Sequence, residues 1–243
     1  MNIKIHNTTY IFLLISFLAG YFKHIFLFLF IIFIHESGHY FFSILSNIKI
    51  DKIIIYPFGG ITQCKEQLNI SINKELITLL GGIIFQLLFL ILIIFLYKNN
   101  LVLYEDYVLI LKINKLLISF NFLPILPLDG GKLLNIFLDK MFSYKLSNKI
   151  CIIISIFFSL VFFIKKKTIY SLILLLFLIK SIIIEILDLN TKYTKFLFER
   201  YCNNYKFKKI KIIKNINNLK RDNYHIINNT FEKEYLSKLF DRT

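Results

Sequence analysis

Two histidines and a glutamate lie close together in the segment Ile34-His35-Glu36-Ser37-Gly38-His39. Residues four apart on an α-helix lie on the same face, so the imidazoles of His35 and His39 can bind one Zn²⁺ ion. Glu36 would then lie beside the metal, near the coordination position that catalytic zinc keeps open. The spacing therefore predicts a zinc site that can activate water for hydrolysis.

A catalytic zinc site usually has three protein ligands, so the chain should supply one more. The carboxylates near apolar segments are Glu75, Glu105, Asp106, Asp129, Asp139, Glu185 and Asp188. Asp129 differs from the others because two prolines precede it and Gly130-Gly131 follow it. Prolines break a helix, and we expect the glycine pair to allow a sharp turn after the aspartate. Irregular backbone at membrane depth is tolerated where it lines a wet cavity, which favours Asp129.

The composition is not that of a water-soluble globular chain, because 56% of the residues are hydrophobic, 19% are charged and the mean hydropathy is +0.63. Lys and Arg total 30 against 15 Asp and Glu. Basic cytoplasmic loops and contacts with anionic lipid explain this excess, so we do not infer nucleic-acid binding. The cysteines Cys64, Cys151 and Cys202 are far apart and predict neither a disulfide framework nor a cysteine-rich zinc site.

Long apolar runs predict an all-α membrane protein with about six transmembrane helices, a zinc site between helices 2 and 4, and short re-entrant or hairpin loops. The expected spans are Tyr10–Phe22, His24–Leu45, Leu76–Tyr97, Leu103–Phe122, Ile150–Ile164 and Ile169–Leu187. With the N-terminus inside, nine lysines fall in inner segments and five in outer turns. This bias predicts that both termini are cytoplasmic.

The composition changes near residue 190. Residues 1–189 are expected to form the transmembrane domain, whereas residues 190–243 hold 13 Lys and Arg, five Asp and Glu, and no run long enough to span a membrane. We expect a basic cytoplasmic tail that is solvated and faces anionic lipid, with His225 in solvent. A truncated regulatory domain is the alternative.

The segment HESGH in an apolar helix, followed by NFLPILPLDGG, resembles the site-2 protease family of intramembrane zinc metalloproteases. The resemblance covers roughly Ile25–Leu133. It implies that His35, His39 and Asp129 bind one zinc ion per active site. It also implies that Glu36 is the catalytic general base, which removes a proton from zinc-activated water.

Finer motifs resemble one subgroup, the sporulation proteases that process the precursor of sigma-K. They are Tyr56-Pro57-Phe58-Gly59-Gly60, Gly81-Gly82 with Gln86, and Phe196-Leu-Phe-Glu-Arg-Tyr201. The resemblance to this subgroup implies a multi-pass protein of a bacterial cell membrane. The subgroup commonly has Gly-Pro where this chain has Gly81-Gly82. It also carries a C-terminal CBS domain, and the residues after Tyr201 are too few for a complete one.

The resemblance also implies where a substrate binds. Asn121 is expected to hydrogen bond to the substrate main chain, with Pro124 and Pro127 nearby. The loop that holds Phe58, Gly59 and Gly60 is a candidate strand edge for an extended substrate, although a simple turn explains it equally well. The expected partners are a membrane-associated pro-protein, membrane regulatory or inhibitory proteins, anionic lipid at the basic tail, and further copies of the chain.

Other functions fit some of the same residues. A site-2 protease could act on another substrate, such as an anti-sigma factor or a signal-peptide remnant. A metal transporter could use histidine and aspartate within the membrane. A catalytically silent scaffold is disfavoured because all four expected residues, His35, Glu36, His39 and Asp129, are present. A serine mechanism is rejected because Ser37 has no free base to activate it as a nucleophile.

Overall fold

The computed structural model describes residues 2–5, 9–10, 17–18, 20–48, 50–56, 59–64, 68–166, 169–205, 207 and 209–241. The helices are α1 (Phe22–Leu45), α2 (Ile72–Lys98), α3 (Tyr104–Asn121), α4 (Asp129–Met141), α5 (Tyr144–Lys166), α6 (Ile169–Leu187), α7 (Leu189–Cys202) and α8 (Glu232–Phe240). The strands are β1 (Asn2–Ile5), β2 (Ile50–Tyr56), β3 (Gly59–Cys64), β4 (Lys209–Ile213), β5 (Asn223–Ile227) and β6 (Thr230–Phe231). The fold is therefore mostly helical.

Three helices among the described residues are long and apolar enough to cross a membrane: α1, α2 and the Tyr144–Ile164 part of α5. They overlap three of the predicted spans. Helix α3 falls short because its 18 residues carry four charged side chains. The predicted span Tyr10–Phe22 lies largely outside the described residues, so the count of six remains a prediction.

The helices α1 and α2 end in the same way, at an asparagine with a left-handed backbone. Asn47 has φ 55° and Asn100 has φ 57°. After α1, the Ile48 amide donates to the Ser43 carbonyl at 2.8 Å, and the corresponding bond after α2 joins the Leu101 amide to the Leu96 carbonyl at 3.0 Å. Asparagine tolerates this conformation better than other non-glycine residues, so each asparagine ends its helix sharply.

Two three-stranded sheets accompany the helices, with strand orders β1-β2-β3 and β4-β5-β6. The prediction of an all-α fold is wrong in this respect. The strands are short, with seven residues in the longest, and a chain so rich in isoleucine gives them little contrast with the apolar helices. In the first sheet β1 is parallel and β3 antiparallel to β2, and the backbone of Gly60 pairs with that of Ile55.

One compact unit comprises Met1–Glu66 and Lys74–Asn121. Its apolar core joins α1, α2 and α3 through Ile31, Ile32, Ile93, Ile110 and Leu117. The backbones of α1 and α2 touch where Gly38 meets Gly81, because a Cβ atom on Gly38 would lie 2.2 Å from the Gly81 carbonyl oxygen. Glycines permit this close crossing, as they do between many membrane helices, and the crossing holds α2 against the histidine face of α1.

The other compact unit comprises Gln67–Asn73 and Phe122–Thr243. Helices α4, α5 and α6 surround a core of Ile125, Leu126, Cys151, Ile152, Leu178 and Ile182. The proline-containing turn before α4 is anchored in this core, since the Leu126 amide donates to Ser155 Oγ at 3.0 Å. The Cys151 thiol donates to the Gly131 carbonyl at 3.3 Å, which holds the first turn of α4 against α5.

The basic C-terminal region is folded, so the prediction of a solvated extension is wrong. Its sheet and α8 share an apolar core with the start of α5 and with α7. The buried members of this core are Tyr144, Tyr193, Phe196, Leu197, Leu219 and Leu236. His225, which was expected in solvent, is completely buried. The domain boundary proposed at residue 190 remains a prediction.

A buried ionic network holds the C-terminal region together. Arg200 Nη1 donates to Glu232 Oε1 at 2.8 Å, and both side chains are almost fully buried. The other Arg200 nitrogens donate to Asn69 Oδ1 and to the Lys220 carbonyl. Burial raises the pKa of Glu232, but the hydrogen bond from His225 and the charge of Arg200 outweigh it, so the net pKa is lowered.

Replacing Glu232 is expected to loosen this region and to remove a pH dependence. A carboxyl whose folded pKa lies below its unfolded value of 4.5 stabilises the fold above that pH and loses this contribution as the pH falls through the folded pKa. Glu232→Gln leaves Arg200 without its buried partner, which costs about 3–5 kcal/mol. Hydrogen exchange of the β5 amides should accelerate at pH 7, whereas Glu234→Gln, at an exposed position on α8, should change nothing. Equal protection in the two variants would contradict the prediction.

Candidate metal centre

Helix α1 carries three buried side chains with metal-binding atoms. His35, Glu36 and His39 are 3%, 6% and 5% exposed, and their potential ligand atoms all lie within 4.8 Å of one another. A glutamate and two histidines within an apolar helix are costly in lipid unless they face the protein interior, and such residues usually mark function. The local cluster follows from the helical spacing alone.

The hydrogen bonds of the two imidazoles determine which nitrogen of each ring carries a proton. His39 Nδ1 lies 3.0 Å from the Thr78 carbonyl oxygen, which can only accept, so this nitrogen carries the proton. His35 Nδ1 lies 3.0 Å from Gln86 Oε1 and donates to it in the same way. Both Nε2 atoms therefore present lone pairs.

The two Nε2 atoms lie 3.0 Å apart. Two lone pairs at this separation repel each other unless a proton or a metal cation lies between them. The Nδ1 hydrogen bonds leave each neutral ring without a proton on Nε2, and zinc binds such nitrogens. The arrangement thus fits a zinc ion held by His35 and His39.

The other predicted site residues are spread over both units. Asn121 ends α3, and its Nδ2 lies 3.4 Å from His35 Nε2, a long contact in which the amide faces the imidazole lone pair. Gly59 and Gly60 begin β3. Phe58 lies outside the described residues.

Asp129 is buried and is the first residue of α4. The predicted turn after it is absent, because Gly130 and Gly131 lie inside the first turn of this helix. They pack under the preceding chain: a Cβ atom on Gly130 would lie 2.4 Å from the Leu123 carbonyl oxygen. The turn comes before Asp129 instead, in the segment that holds Pro124 and Pro127. Asp129 belongs to the second compact unit, and its role as third ligand remains a prediction.

Comparison with known proteins gives one consistent result. The sequence profile of peptidase family M50 matches residues 23–106, which include the HExxH motif. Stage IV sporulation protein FB of Bacillus subtilis (strain 168) is 26% identical over 206 residues, covering 83% of this chain and 72% of the relative. A zinc metalloprotease of Methanocaldococcus jannaschii is 30% identical over 122 residues, or 48% of this chain. The chain spans only 34% of that relative's length.

The fold also matches a solved structure. The site-2 protease from Methanocaldococcus jannaschii superposes with a TM-score of 0.61 at 24% identity, covering 75% of this chain and 89% of that one. The chain thus resembles peptidase family M50 over residues 23–106, and its fold resembles that of a site-2 protease. It is accordingly a membrane-embedded zinc metalloendopeptidase.

The sequence reasoning missed how the protease supports its histidines. Thr78, Gly82 and Gln86 are four residues apart on α2 and form one stripe against His35 and His39. Gln86 and the glycine pair were noticed only as subgroup motifs, and Thr78 was not noticed at all. A polar Gln86 four residues after Gly82, in an otherwise apolar stretch, was the available signal, whereas the contact from Thr78 is made by a backbone carbonyl and has no side-chain signal.

Gly82→Ala is expected to weaken zinc binding without removing any ligand. The added methyl group would lie 2.5 Å from His35 Cε1 and 2.6 Å from His39 Nε2. Overpacking of this kind costs about 1–3 kcal/mol, so we expect zinc affinity to fall by about tenfold or more. A zinc titration against a competing chelator measures it. Leu88→Ala, on the lipid-exposed side of the same helix, is the control, and equal affinities for the two variants would contradict the packing argument.

Gln86→Leu should lower zinc affinity by about 10–100-fold, the usual effect of removing a hydrogen bond that orients a metal ligand. Leucine cannot accept the proton of His35 Nδ1, so the ring loses both its orientation and its fixed tautomer. Gln86→Glu keeps an acceptor oxygen, and it loses no bond because Gln86 Nε2 has no partner among the described residues. The same titration should therefore show near-normal zinc binding for Gln86→Glu. A normal affinity for Gln86→Leu would refute the orienting role.

Proposed function

We propose that this protease removes the pro-sequence of a membrane-associated precursor, most specifically that of a sporulation sigma factor of the sigma-K type. The observation that carries this proposal is the similarity to stage IV sporulation protein FB, which extends over 83% of the chain rather than over the metal motif alone. The subgroup motifs around Gly81-Gly82 and Phe196–Tyr201 agree with it.

In this proposal His35 and His39 hold the zinc ion through Nε2, and Asp129 supplies the third ligand. Gln86 and Thr78 keep both Nδ1 atoms protonated, so Nε2 is the nitrogen of each ring that can bind the metal. Bound zinc supplies a Lewis acid that polarises the scissile carbonyl and lowers the pKa of water.

Glu36 is the proposed general base. It is buried one residue from His35, within the cluster of ligand atoms, so it can accept the proton of the attacking water. The protonated Glu36 then donates to the amine that leaves when the peptide bond breaks. His35, Glu36 and His39 are buried, and a site with little bulk water strengthens electrostatic interactions at the reacting carbonyl.

Hydrogen bonds from the protease to the substrate main chain are proposed to align the substrate. A peptide bond inside a helix is inaccessible to hydrolysis, so the substrate must be extended at the site. Asn121, with an amide beside His35, is the proposed main-chain donor, and Pro124 and Pro127 shape the adjoining turn. The backbone at Phe58, Gly59 and Gly60 is the proposed strand edge.

The proposed topology has six spans, both termini in the cytoplasm, and the zinc site between the second and fourth spans. It rests on the lysine distribution and on the three described helices that are long and apolar enough to cross a membrane. Besides the substrate, the proposed partners are a membrane protein that regulates cleavage and further copies of the chain in a homo-oligomer.

Co-expression with candidate substrates tests the substrate assignment. The chain is expressed with a sigma-K-type precursor, an anti-sigma factor or a signal-peptide remnant, and each product is sized by gel mobility and mass spectrometry. We expect a shortened product from the sigma precursor alone, and none from Glu36→Gln. Cleavage of another candidate, with the sigma precursor intact in the same membranes, would reassign the substrate within the same protease family.

A further inference from the structure

Residues 68–72, which lead into α2 and which we call the entry segment, are held by the C-terminal region. The Glu199 carboxylate accepts the Leu68 amide at 3.0 Å and the Asn69 amide at 3.2 Å. Asn69 Oδ1 accepts from Arg200 Nε at 2.7 Å. All of these residues belong to the same compact unit. The path of the chain into α2 is therefore fixed by side chains of α7.

Arg221 and Asp222 hold the end of the entry segment. Arg221 Nη2 donates to the Ile70 carbonyl at 2.7 Å, and its Nη1 donates to Asp139 Oδ2 on α4 at 2.9 Å. Asp222 Oδ2 accepts the amide of Ile72, the first residue of α2, at 2.9 Å. The first amides of a helix have no acceptor within the helix, and a carboxylate that accepts one of them also complements the helix dipole. Asp222 therefore acts as a cap for α2, supplied from a distant part of the sequence.

The capped end of α2 lies close, along the helix, to a group that supports the metal centre. Helix α2 continues without a break from Ile72 to Lys98. Thr78 is six residues after Ile72, about 9 Å along the helix axis. Its backbone carbonyl accepts the proton of His39 Nδ1. Because helix ends fray, the orientation of the His39 ring depends on how firmly the first turns of α2 are held.

The support of His35 lies deeper in the same helix. Gln86 Oε1, which accepts from His35 Nδ1, is eight residues beyond Thr78, about 12 Å farther along the axis. The close crossing of Gly81 with α1 lies between these two residues. Fraying that starts at the capped end would therefore reach the Thr78 carbonyl first and leave Gln86 in place.

We propose that Asp222 is a positioning residue of the protease, which caps α2 so that the Thr78 carbonyl keeps the His39 ring oriented for zinc. The C-terminal region thus supports the metal centre through α2. This inference rests on zinc binding by His35 and His39, as in the proposed function, and adds a residue that acts on one of these two rings from a distance.

Two substitutions at position 222 separate the cap from the backbone conformation. Asp222 has φ 55°, which both glycine and asparagine tolerate. Asp222→Gly removes the acceptor of the Ile72 amide, whereas Asp222→Asn keeps a side-chain oxygen that can accept it. Tyr193→Phe is the matched control. It also removes one hydrogen bond from the same compact unit, the bond from Tyr193 to the Ile216 carbonyl, which involves no residue of the entry segment.

Proton exchange at each imidazole is measured by NMR on the metal-free, full-length chain with ¹⁵N-labelled histidine in detergent micelles. For Asp222→Gly we expect the Nδ1 proton of His39 to exchange with water several-fold faster, while that of His35 keeps its wild-type rate. Zinc affinity, measured by chelator competition, should fall by about three- to tenfold, within the equilibrium factor that loss of a helix cap supplies. Asp222→Asn and Tyr193→Phe should match wild type in both measurements.

Three results would overturn the proposal. They are a wild-type exchange rate at His39 in Asp222→Gly, equal acceleration at His35 and His39, and an equal loss of zinc affinity in Tyr193→Phe, which would show only a general loosening of the region. His35→Ala is titrated with zinc alongside these variants. A wild-type affinity for His35→Ala would refute the metal assignment on which this inference rests, and that result is distinct from a failure of the cap.

Discussion

Glu36→Gln should retain zinc and lose proteolysis. Glutamine is nearly the same size as glutamate, so the packing of α1 and the two histidines is preserved. It cannot accept a proton from water, and removing a general base typically costs about 10²–10⁴ in rate. Turnover of a cleavable precursor and zinc content should be measured on the same purified preparation.

Measuring both precursor cleavage and zinc content for Glu36→Gln distinguishes a protease from a zinc carrier. A site-2 protease requires the carboxylate at position 36, whereas a zinc carrier would function without it. Cleavage by Glu36→Gln at the wild-type rate would exclude Glu36 as the base. Loss of zinc together with activity would show instead that Glu36 is itself needed to build the metal site.

His35→Ala or His39→Ala should remove both zinc and activity. Each histidine is buried with its Nε2 3.0 Å from that of the other, and either variant leaves fewer than the three protein ligands that catalytic zinc usually has. We expect zinc affinity to fall by more than about 100-fold, beyond the loss for a residue that only orients a ligand. Asp129→Ala tests the proposed third ligand in the same assay and should weaken both readouts.

His24→Ala is the matched control for these variants. It removes a histidine from the same helix, at an exposed position near the N-terminal end of α1. Zinc content and cleavage should both match wild type. An equal loss of zinc in His24→Ala and His35→Ala would show that the metal is not bound at the predicted cluster.

The local metal motif could be predicted because its geometry is set by one helix. Positions 35, 36 and 39 need only helical backbone to converge, and the apolar run predicts that backbone. The Thr78 carbonyl could not be predicted, because it is a backbone atom and depends on how closely α2 approaches. That approach is set by the contact between Gly38 and Gly81, which a sequence shows only as small residues.

The C-terminal region was misjudged for a different physical reason. Its core is assembled from apolar residues scattered among charges, such as Leu219 and Leu236, together with Phe196 on α7. The charges that suggested a solvated tail include Arg200 and Glu232, which are buried because they pair with each other. A prediction from composition treats charged residues as exposed, and only their pairing in the folded structure shows that these two are buried.

Zinc-edge X-ray absorption of the purified chain is the most direct test of the metal centre. We predict one zinc ion per chain with only nitrogen and oxygen neighbours at about 2.0–2.2 Å, including two imidazoles. The imidazole scattering should disappear in the His35→Ala, His39→Ala double variant. Sulfur neighbours at about 2.3 Å, or an unchanged spectrum in the double variant, would contradict a zinc site built on His35 and His39.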